Sequence, residues 1–356
     1  MNTTTQQLKE KWDALKEEQP HIRIRNAAEV LGISEAELLI TKTGDTVTWL
    51  RSEPKAILKE IETLGYVMAL TRNDSCVHER KGVYKNAKIS SASTGLFVGE
   101  DIDLRIFFNH WKFVFAVTEV ARGKEQNSLQ FFGQDGMAIH KIYLTPKSDK
   151  KAFFRLIEKY KAEQQPHSLQ TEPYIPEDDT ISDGEVDIVS FQKKWLNLKD
   201  THQFFSLIKK HKVSRTQALR IAPDKQHAMP IDKNKIVSML EAAVKMQVPI
   251  MAFVGNRGCI QIHTGEIYRT LWHNEWFNVL DPHFNLHLNM NKIAESWIVR
   301  KPTKDGIVTS IEVFDVNGEI IVQFFGKRKP GIPELPQWRE IVKELEKETN
   351  QVNLNL

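Results

Sequence analysis

Apolar positions along this chain change their spacing twice over, in the same order. Near the start, Leu8, Trp12 and Leu15 recur at helical spacing. Asn26-Ala-Ala-Glu-Val-Leu continues the helical pattern and stops at Gly32. The pattern then becomes β-rich. Val67–Leu70, Cys76–His78, Leu104–Phe108, Trp111–Thr118, Ser128–Phe132 and Ala138–Leu144 read as short strands separated by turn residues. Helical spacing returns over Asp149–Lys161. The second half begins again with Phe191, Trp195 and Leu198. A helix from about Asp200 to His211 follows, with Phe204, Phe205, Leu207 and Ile208 on its apolar side, and Gln337–Glu348 closes the copy. Asp135-Gly136 and Asn317-Gly318 each sit between two strand patterns, which predicts a two-residue hairpin turn in each half.

The two halves also match residue by residue. Leu129-Gln-Phe-Phe-Gly-Gln-Asp-Gly aligns with Ile311-Glu-Val-Phe-Asp-Val-Asn-Gly (311 − 129 = 182), and Asp103-Leu-Arg-Ile-Phe-Phe-Asn with Asn285-Leu-His-Leu-Asn-Met-Asn (285 − 103 = 182). Met68-Ala-Leu-Thr-Arg-Asn-Asp-Ser-Cys aligns with Met251-Ala-Phe-Val-Gly-Asn-Arg-Gly-Cys (251 − 68 = 183). The expected fold is therefore α+β and internally duplicated. Each repeat would carry a large antiparallel sheet flanked by helices. The division expected is 1–162 for the first repeat, 163–187 for a linker and 188–356 for the second. Lys11-Trp12 pairs with Lys194-Trp195 (194 − 11 = 183), whereas pairing His21 and Arg25 with His211 and Arg215 needs 190 (211 − 21). This reading gives the second copy about seven extra residues around Lys199-Asp-Thr-His-Gln-Phe-Phe, within the uncertainty of boundary assignment.

Composition narrows the function. The 356 residues have a net charge of only +3, too small for bulk nucleic-acid binding. No apolar run reaches the roughly 20 residues of a bilayer span, and the start has no charged-then-apolar leader, so a cytoplasmic protein is expected. Cys76 and Cys259 occupy equivalent positions, which points to two buried strand sites rather than a disulfide. From Ala162 to Gln192 there is no Lys or Arg, while Glu163, Glu172, Glu177, Asp178, Asp179, Asp183, Glu185 and Asp187 crowd the stretch. That composition, with prolines at 166, 173 and 176, predicts an extended and mobile connection.

Several motifs carry less than they first offer. Asn26-Ala-Ala-Glu-Val-Leu-Gly-Ile-Ser-Glu-Ala-Glu-Leu-Leu has the shape of a helix-turn-helix, a remote reading as a DNA-binding regulator. Its recognition helix would open with Ser34, Glu35 and Glu37, and phosphates repel that charge. There is no Cys-x-x-Cys pair and no glycine-rich phosphate loop. Lys327-Arg328-Lys329 reads as a solvated basic turn unless another cation joins it. His140, alternating with Ile139, reads as a surface strand position. His202 differs, because it opens a helix that carries Phe204 and Phe205. A neutral imidazole beside aromatics suits an axial ligand to a flat iron macrocycle, although a histidine on a helix surface is more often a solvated residue and periodicity alone does not decide between them.

Asp200-Thr-His-Gln-Phe-Phe, with Arg215 thirteen residues beyond His202, resembles the haemin-utilisation proteins of the HemS/ChuS type (215 − 202 = 13). Ile102-Asp-Leu-Arg-Ile-Phe-Phe-Asn-His-Trp carries the same resemblance, which covers essentially the whole chain. It implies a cytoplasmic, duplicated haemin-degrading or haemin-trafficking factor of bacteria, holding haem b non-covalently. His202 would be the proximal iron ligand, and Arg105 would reach over the distal face. Arg215, Lys301 and Arg328 would be the cations around propionates or pocket rim, with Met251, Phe253, Phe107 and Gln323 lining the cavity. Such cations suit a disc with two carboxylates on an apolar body. Arg105 has His287 as its repeat partner and Phe107 has Asn289, while His202 has no clear counterpart in this reading.

The resemblance places Phe325 where better-known members carry tyrosine, removing a hydroxyl from the distal side. Distal polarity helps decide between oxygen activation and simple binding. It also implies His78 as the candidate for a second haem in the first repeat. Two functions share these residues. A carrier would hold imported haem for transfer to a haem oxygenase, receiving it at the cytoplasmic face of an importer. An enzyme of haem oxygenase type would open the porphyrin with oxygen or peroxide and a reductant, Arg105 stabilising developing negative charge.

Overall fold

The computed structural model describes residues 3–354 other than 122, 177 and 330. It divides into two compact units, and neither is a continuous piece of chain. The first unit comprises Met1–Thr71, Glu79–Ile175 and Asn256–Gln261; the second comprises Arg72–His78, Pro176–Gly255 and Ile262–Leu356.

The first unit opens with α1 (Thr3–Glu18), α2 (Ile24–Leu31) and α3 (Glu35–Ile40). Next come β1 (Val47–Leu50), α4 (Pro54–Glu60), β2 (Gly65–Arg72) and β3 (Cys76–Gly82). The strands β4 (Ala87–Ile89), β5 (Thr94–Val98) and β6 (Asp103–Phe107) form a small meander. Then β7 (Phe113–Ala121), β8 (Lys124–Phe132) and β9 (Ala138–Ser148) lead to α5 (Lys150–Tyr160). Its antiparallel strands run in the order β1-β7-β8-β9-β2. One sheet face buries its apolar side chains with α4 and α5, the other with α3 and the helices before it.

The second unit repeats the plan. It begins with α6 (Ile188–Leu196), α7 (Gln203–His211), α8 (Arg215–Arg220), β10 (Ala228–Pro230) and α9 (Asn234–Lys245). The strands β11 (Ile250–Asn256) and β12 (Cys259–Gly265) follow. A meander of β13 (Thr270–His273), β14 (Trp276–Leu280) and β15 (Phe284–Asn289) comes next. The unit closes with β16 (Glu295–Thr303), β17 (Gly306–Phe314), β18 (Ile320–Gly326) and α10 (Pro336–Leu354), its strands ordered β10-β16-β17-β18-β11. Helices α9 and α10 cover one face, and α6–α8 cover part of the other.

The duplicated cysteines explain the interrupted boundaries. Cys76, from the first half of the sequence, is buried in the main core of the second unit. Cys259, from the second half, is buried in the core of the first unit. An asparagine three residues earlier fixes each turn. Asn73 Oδ1 accepts from the backbone N–H of Ser75 and Cys76, and its amide donates to the carbonyls of Gly255 and Ile321. Asn256 does the same for Gly258 and Cys259 and donates to Ile139. The two repeats have thus exchanged equivalent hairpin corners.

Three expectations are corrected here. His140 is not a surface residue: it is 1% exposed, with Nδ1 2.8 Å from Thr71 Oγ1 and Nε2 2.6 Å from the Tyr84 hydroxyl. Alternation is reliable only where one sheet face meets water, and this sheet is covered on both. The connection is not free along its length. Gln165 exchanges hydrogen bonds with the Trp49 backbone, Glu172 N–H donates to Gln134 O, and Tyr174 lies 4.6 Å from the Arg257 guanidinium. Further on, Ile181 N–H donates to Lys212 O, and Gln217 donates to Ile181 O and Asp183. Of its eight carboxylates, Glu177 lies outside the described residues. Local charge disfavours collapse but does not prevent backbone groups from finding partners on a neighbouring surface.

The third correction concerns the repeat alignment. Gly32 and Lys212 terminate α2 and α7 in the left-handed conformation (212 − 32 = 180). Ser34 and Ser214 then make capping boxes with Glu37 and Gln217 (214 − 34 = 180). The offset therefore falls from 183 at Trp12 and Trp195 to 180 here, so the second copy is about three residues shorter in this region. Arg215 corresponds to Glu35, not Arg25, and His202 falls opposite Ile22. The helices α4 and α9 and the strands β1, β4, β5, β10, β13 and β14 lay outside the sequence reading. For α9 the signal was present, since Ile236, Met239, Leu240 and Ala243 recur at helical spacing and are buried.

Candidate functional site

In the second unit, strand register sets one sheet face. Met251 pairs with Phe325 and Phe253 with Gln323. Phe325 in turn pairs with Ser310, and Gln323 with Glu312. Glu312 and Ser310 pair with Trp297 and Val299. Directly opposed residues project to the same side, so these side chains share a face. Helices α6–α8 bury its β16 end, packing Phe191, Trp195, Phe204 and Leu207 with Trp297 and Val299. Met251, Phe253, Gln323 and Phe325 remain half-buried, while the alternating Ala252, Val254 and Phe324 are fully buried under the other helix layer. The Phe253 and Phe325 rings lie 5.1 Å apart. The result is an apolar floor that the helices of this unit leave partly open.

A buried charge group borders that floor. Glu312 is fully buried and takes a two-point contact from Arg215, Nε to Oε2 at 2.7 Å and Nη2 to Oε1 at 2.8 Å. Lys301 Nζ donates to the same Oε1 at 2.7 Å, and Ser310 Oγ donates to it at 2.9 Å. Both cations also lie over the Phe204 ring, Lys301 at 4.7 Å and Arg215 at 5.3 Å. Burial pulls the Lys301 ammonium down to about 8, with Glu312 resisting the shift. For Glu312, burial raises the carboxyl, but Arg215 and Lys301 outweigh it and hold the group well below the usual range. The set carries one more positive than negative charge.

His202 is at the N-terminal edge of α7, its side chain 93% exposed. Its Nδ1 lies 2.6 Å from Asp200 Oδ1, which also accepts the His202 backbone N–H at 2.7 Å. That backbone bond is the main reason the Asp200 carboxyl lies below its ordinary value, with smaller contributions from the His202 ring and Arg328. Lys304 N–H donates to Lys199 O, so this loop lies at the β16–β17 end of the sheet. Arg328, just beyond β18, acts on Asp200 electrostatically and is half-buried, unlike the exposed Lys327 and Lys329. The middle residue of the basic turn is therefore set apart from its neighbours. Of the two phenylalanines expected beside His202, Phe204 is core and Phe205 is 67% exposed.

Haem requires an available imidazole nitrogen, an apolar surface for the macrocycle and cations for two carboxylates. The second unit offers all three in His202, in Met251, Phe253 and Phe325, and in Arg215, Lys301 and Arg328. In the first unit, Arg105 donates to Asp103 and to Leu104 O, and Phe107 is half-buried on the same strand face. Burial is the main cause of a raised Asp103 carboxyl, against the opposing pull of Arg105. His78 does not present itself to a ligand. It is 0% exposed, with Phe284 at 5.0 Å, and Phe284 is stacked on His263 at 3.7 Å.

The sequence profile of the haemin-degrading HemS.ChuX domain matches residues 32–160 and again 212–345. The chain belongs to this family. Both matches begin at the αL helix stops that align the repeats, so His202 lies just ahead of the second. The hemin transport protein HmuS of Yersinia pestis is 41% identical over 333 residues, 93% of this chain and 94% of that protein. The crystal structure of holo-PhuS, a heme-binding protein from Pseudomonas aeruginosa, is 46% identical with a TM-score of 0.92, covering 95% and 98% of the two chains. ChuS, described as an E. coli heme oxygenase, is 33% identical with a TM-score of 0.85, covering 95% and 99%.

Membership in the HemS.ChuX family displaces the DNA-binding reading, and so does the geometry. Ala36, Leu38, Leu39 and Ile40 of the supposed recognition helix are buried, and Glu35 is ion-paired with Lys141. Among the described residues, no helix is long and apolar enough to cross a membrane. Two residues of the second unit escaped the sequence reading. Asp200 was quoted only as part of a motif, although a carboxylate two residues before a candidate ligand histidine is a recognisable signal. Glu312 was quoted only within the aligned repeat segments, although a carboxylate inside an apolar strand, opposite the neutral Gln130 of the other copy, is a recognisable signal.

Proposed function

We propose that this chain binds haem on its second unit, non-covalently and as haem b, with His202 as the axial ligand. The observation that carries this reading is the His202–Asp200 contact. By accepting the Nδ1 proton at 2.6 Å, Asp200 selects the tautomer whose Nε2 lone pair is free, and the exposed ring leaves that nitrogen accessible. Bound haem supplies a redox-active iron centre. The chain's residues hold and orient it: Met251, Phe253 and Phe325 offer the apolar floor, Gln323 a polar point on it, and Arg215, Lys301 and Arg328 positive charge. The biological role is the handling of imported haem in bacterial iron acquisition, in the cytoplasm. A haem importer and a haem oxygenase are the partners this role requires. The deciding experiment is a haemin titration of the full chain and of His202→Ala, followed by absorption spectroscopy. Loss of the wild-type spectrum in the variant is expected, and an unchanged spectrum removes His202 as the ligand.

The heme oxygenase description of ChuS favours a second reading, in which the same ligand is degraded. Arg105 is then the proposed catalytic residue, a fixed cation able to stabilise negative charge, with Phe107 beside it on the strand. Both assignments rest on the family resemblance. Turnover with a physiological reductant in the presence of catalase tests this reading. Release of iron and an open tetrapyrrole should persist with catalase and fall in Arg105→Ala. Product only without catalase refutes it.

A further inference from the structure

The Glu312 group has a counterpart in the first unit with its charges exchanged. In the first unit Met68 pairs with Tyr143 and Leu70 with Lys141, as Met251 pairs with Phe325 and Phe253 with Gln323 in the second. Ser128 and Gln130 continue the same two rows, as Ser310 and Glu312 do. Gln130 donates to Ser128 Oγ, and Glu312 accepts from Ser310 Oγ. The floor is conserved in outline, with Met68, Leu70 and Tyr143 again half-buried. The charges are not. Arg215 becomes Glu35, Lys301 becomes Glu119 (301 − 119 = 182), and Glu312 becomes the neutral Gln130. Glu35 is paired with Lys141, which stands where the second unit has Gln323.

We infer that Glu312 is a positioning residue for carboxylate recognition, holding Arg215 and Lys301 as one preassembled cationic pair that the first unit lacks. This rests on the haem reading of the second unit. A planar guanidinium gripped at two points cannot rotate away, and its remaining N–H groups keep a fixed direction. Lys301 and Arg215 repel each other in a dry site, and a carboxylate within 2.8 Å of both is what allows both to remain charged. Without Glu312, the groups left facing Lys301 are Arg215, the neutral Ser310 and the Phe204 ring, none of them an anion, so the lysine sheds its proton more easily. The pair would then lose one charge and its shared anchor together. In the first unit Glu35 is buried in its ion pair with Lys141 and the exposed Glu119 stands at the lysine position, so the corresponding face has no pair of cations to offer a dicarboxylate.

The test compares two ligands against full-length protein: haemin, and haemin dimethyl ester, whose propionates are neutral. Absorbance titrations would be run between pH 6 and 9 on wild type and Glu312→Gln. The expected result is about a tenfold or greater loss of haemin affinity in the variant, the scale of one charge-assisted contact, with the ester changed less than about threefold. The decline of haemin affinity with rising pH should also move to lower pH. Equal losses for both ligands would show a merely structural role and overturn the inference. Tighter haemin binding would show competition between Glu312 and the propionates, and would overturn it too. Should Glu312→Gln fail to fold, Glu312→Gln/Lys301→Met removes one charge of each sign and replaces it as the test. It should narrow the preference for haemin over the ester, and an unchanged preference refutes the role. Wild type binding neither ligand defeats the haem reading itself, whereas equal binding of both defeats only this inference.

Discussion

Asp200 Oδ1 lies 2.6 Å from Nδ1 of His202 and also accepts the backbone N–H of the same residue. One carboxylate oxygen therefore fixes both the orientation and the tautomer of an imidazole that is otherwise in solvent. Partners of ligand histidines typically contribute about 10- to 100-fold to affinity. Asp200→Ala is accordingly expected to weaken haemin binding by about that factor, while Asp200→Asn, which retains an acceptor oxygen, should recover part of it. Haemin titrations of both variants check this. Identical affinities for wild type and Asp200→Ala would sink the proposed role.

The buried His140 makes the first unit acid-sensitive. Burial lowers its imidazole from 6.5 to about 3. Between those values the unfolded chain binds a proton that the folded chain refuses, so stability is greatest above pH 6.5 and falls as pH drops toward 3. The slope is about 1.4 kcal/mol per pH unit for one such group. The second unit has Val254, Ile267 and Val322 at the positions of Thr71, Tyr84 and His140. The triple variant Thr71→Val, Tyr84→Phe, His140→Val should flatten that acid limb. Urea melts at pH 7 and pH 4 measure it, and parallel losses in the two proteins would contradict the assignment.

Both cysteines should be chemically silent in the folded protein. Cys76 and Cys259 are free and fully buried, and burial raises both thiols, Cys259 to about 12. The thiolate is the reactive form. An aromatic disulfide reagent should find no reactive thiol in native buffer and two in guanidinium. Prompt native reaction would show that the exchanged hairpin corners open readily.

Close approach of backbone and helix makes Gly326 intolerant of a side chain. A Cβ there would lie 2.6 Å from both Cβ and Cγ of Trp338, a fully buried residue of α10. Overpacking of this kind destabilises by about 1–3 kcal/mol. Denaturant unfolding of Gly326→Ala measures the loss. Stability equal to wild type would mean that Trp338 does not pack against this strand.

Most of the secondary structure was legible because local chemistry and tertiary context agree. The two hairpins fall where the Asp-Gly and Asn-Gly pairs predict, but as three-residue loops rather than two-residue turns: Gly133 N–H donates to Met137 O and Asp315 N–H to Glu319 O, and only Gly136 and Gly318, at φ of 72° and 77°, are left-handed. Covered strands were read less well: His140 alternates in sequence, yet both neighbouring faces are packed, and alternation then loses its meaning. The count of residues around His202 also misled, since pairing His21 with His211 rewards residue identity. The helix stops at Gly32 and Lys212 show that a conformation, left-handed backbone, is what the repeats share there.

By itself the sequence established the duplication, the α+β class and the family resemblance, and that resemblance is what nominated His202, Arg215 and Lys301. Those are properties of pattern and residue type, preserved in order along the chain. Tertiary structure alone decided which half of the sequence completes each core, with Cys76 and Cys259 exchanged between the units. It also decided that Arg215 and Lys301 converge on one carboxylate. The physical reason is range. Helical and strand periodicity is a local property, whereas Glu312 meets Arg215 across 97 residues of chain only after the sheet and its helix layer have packed.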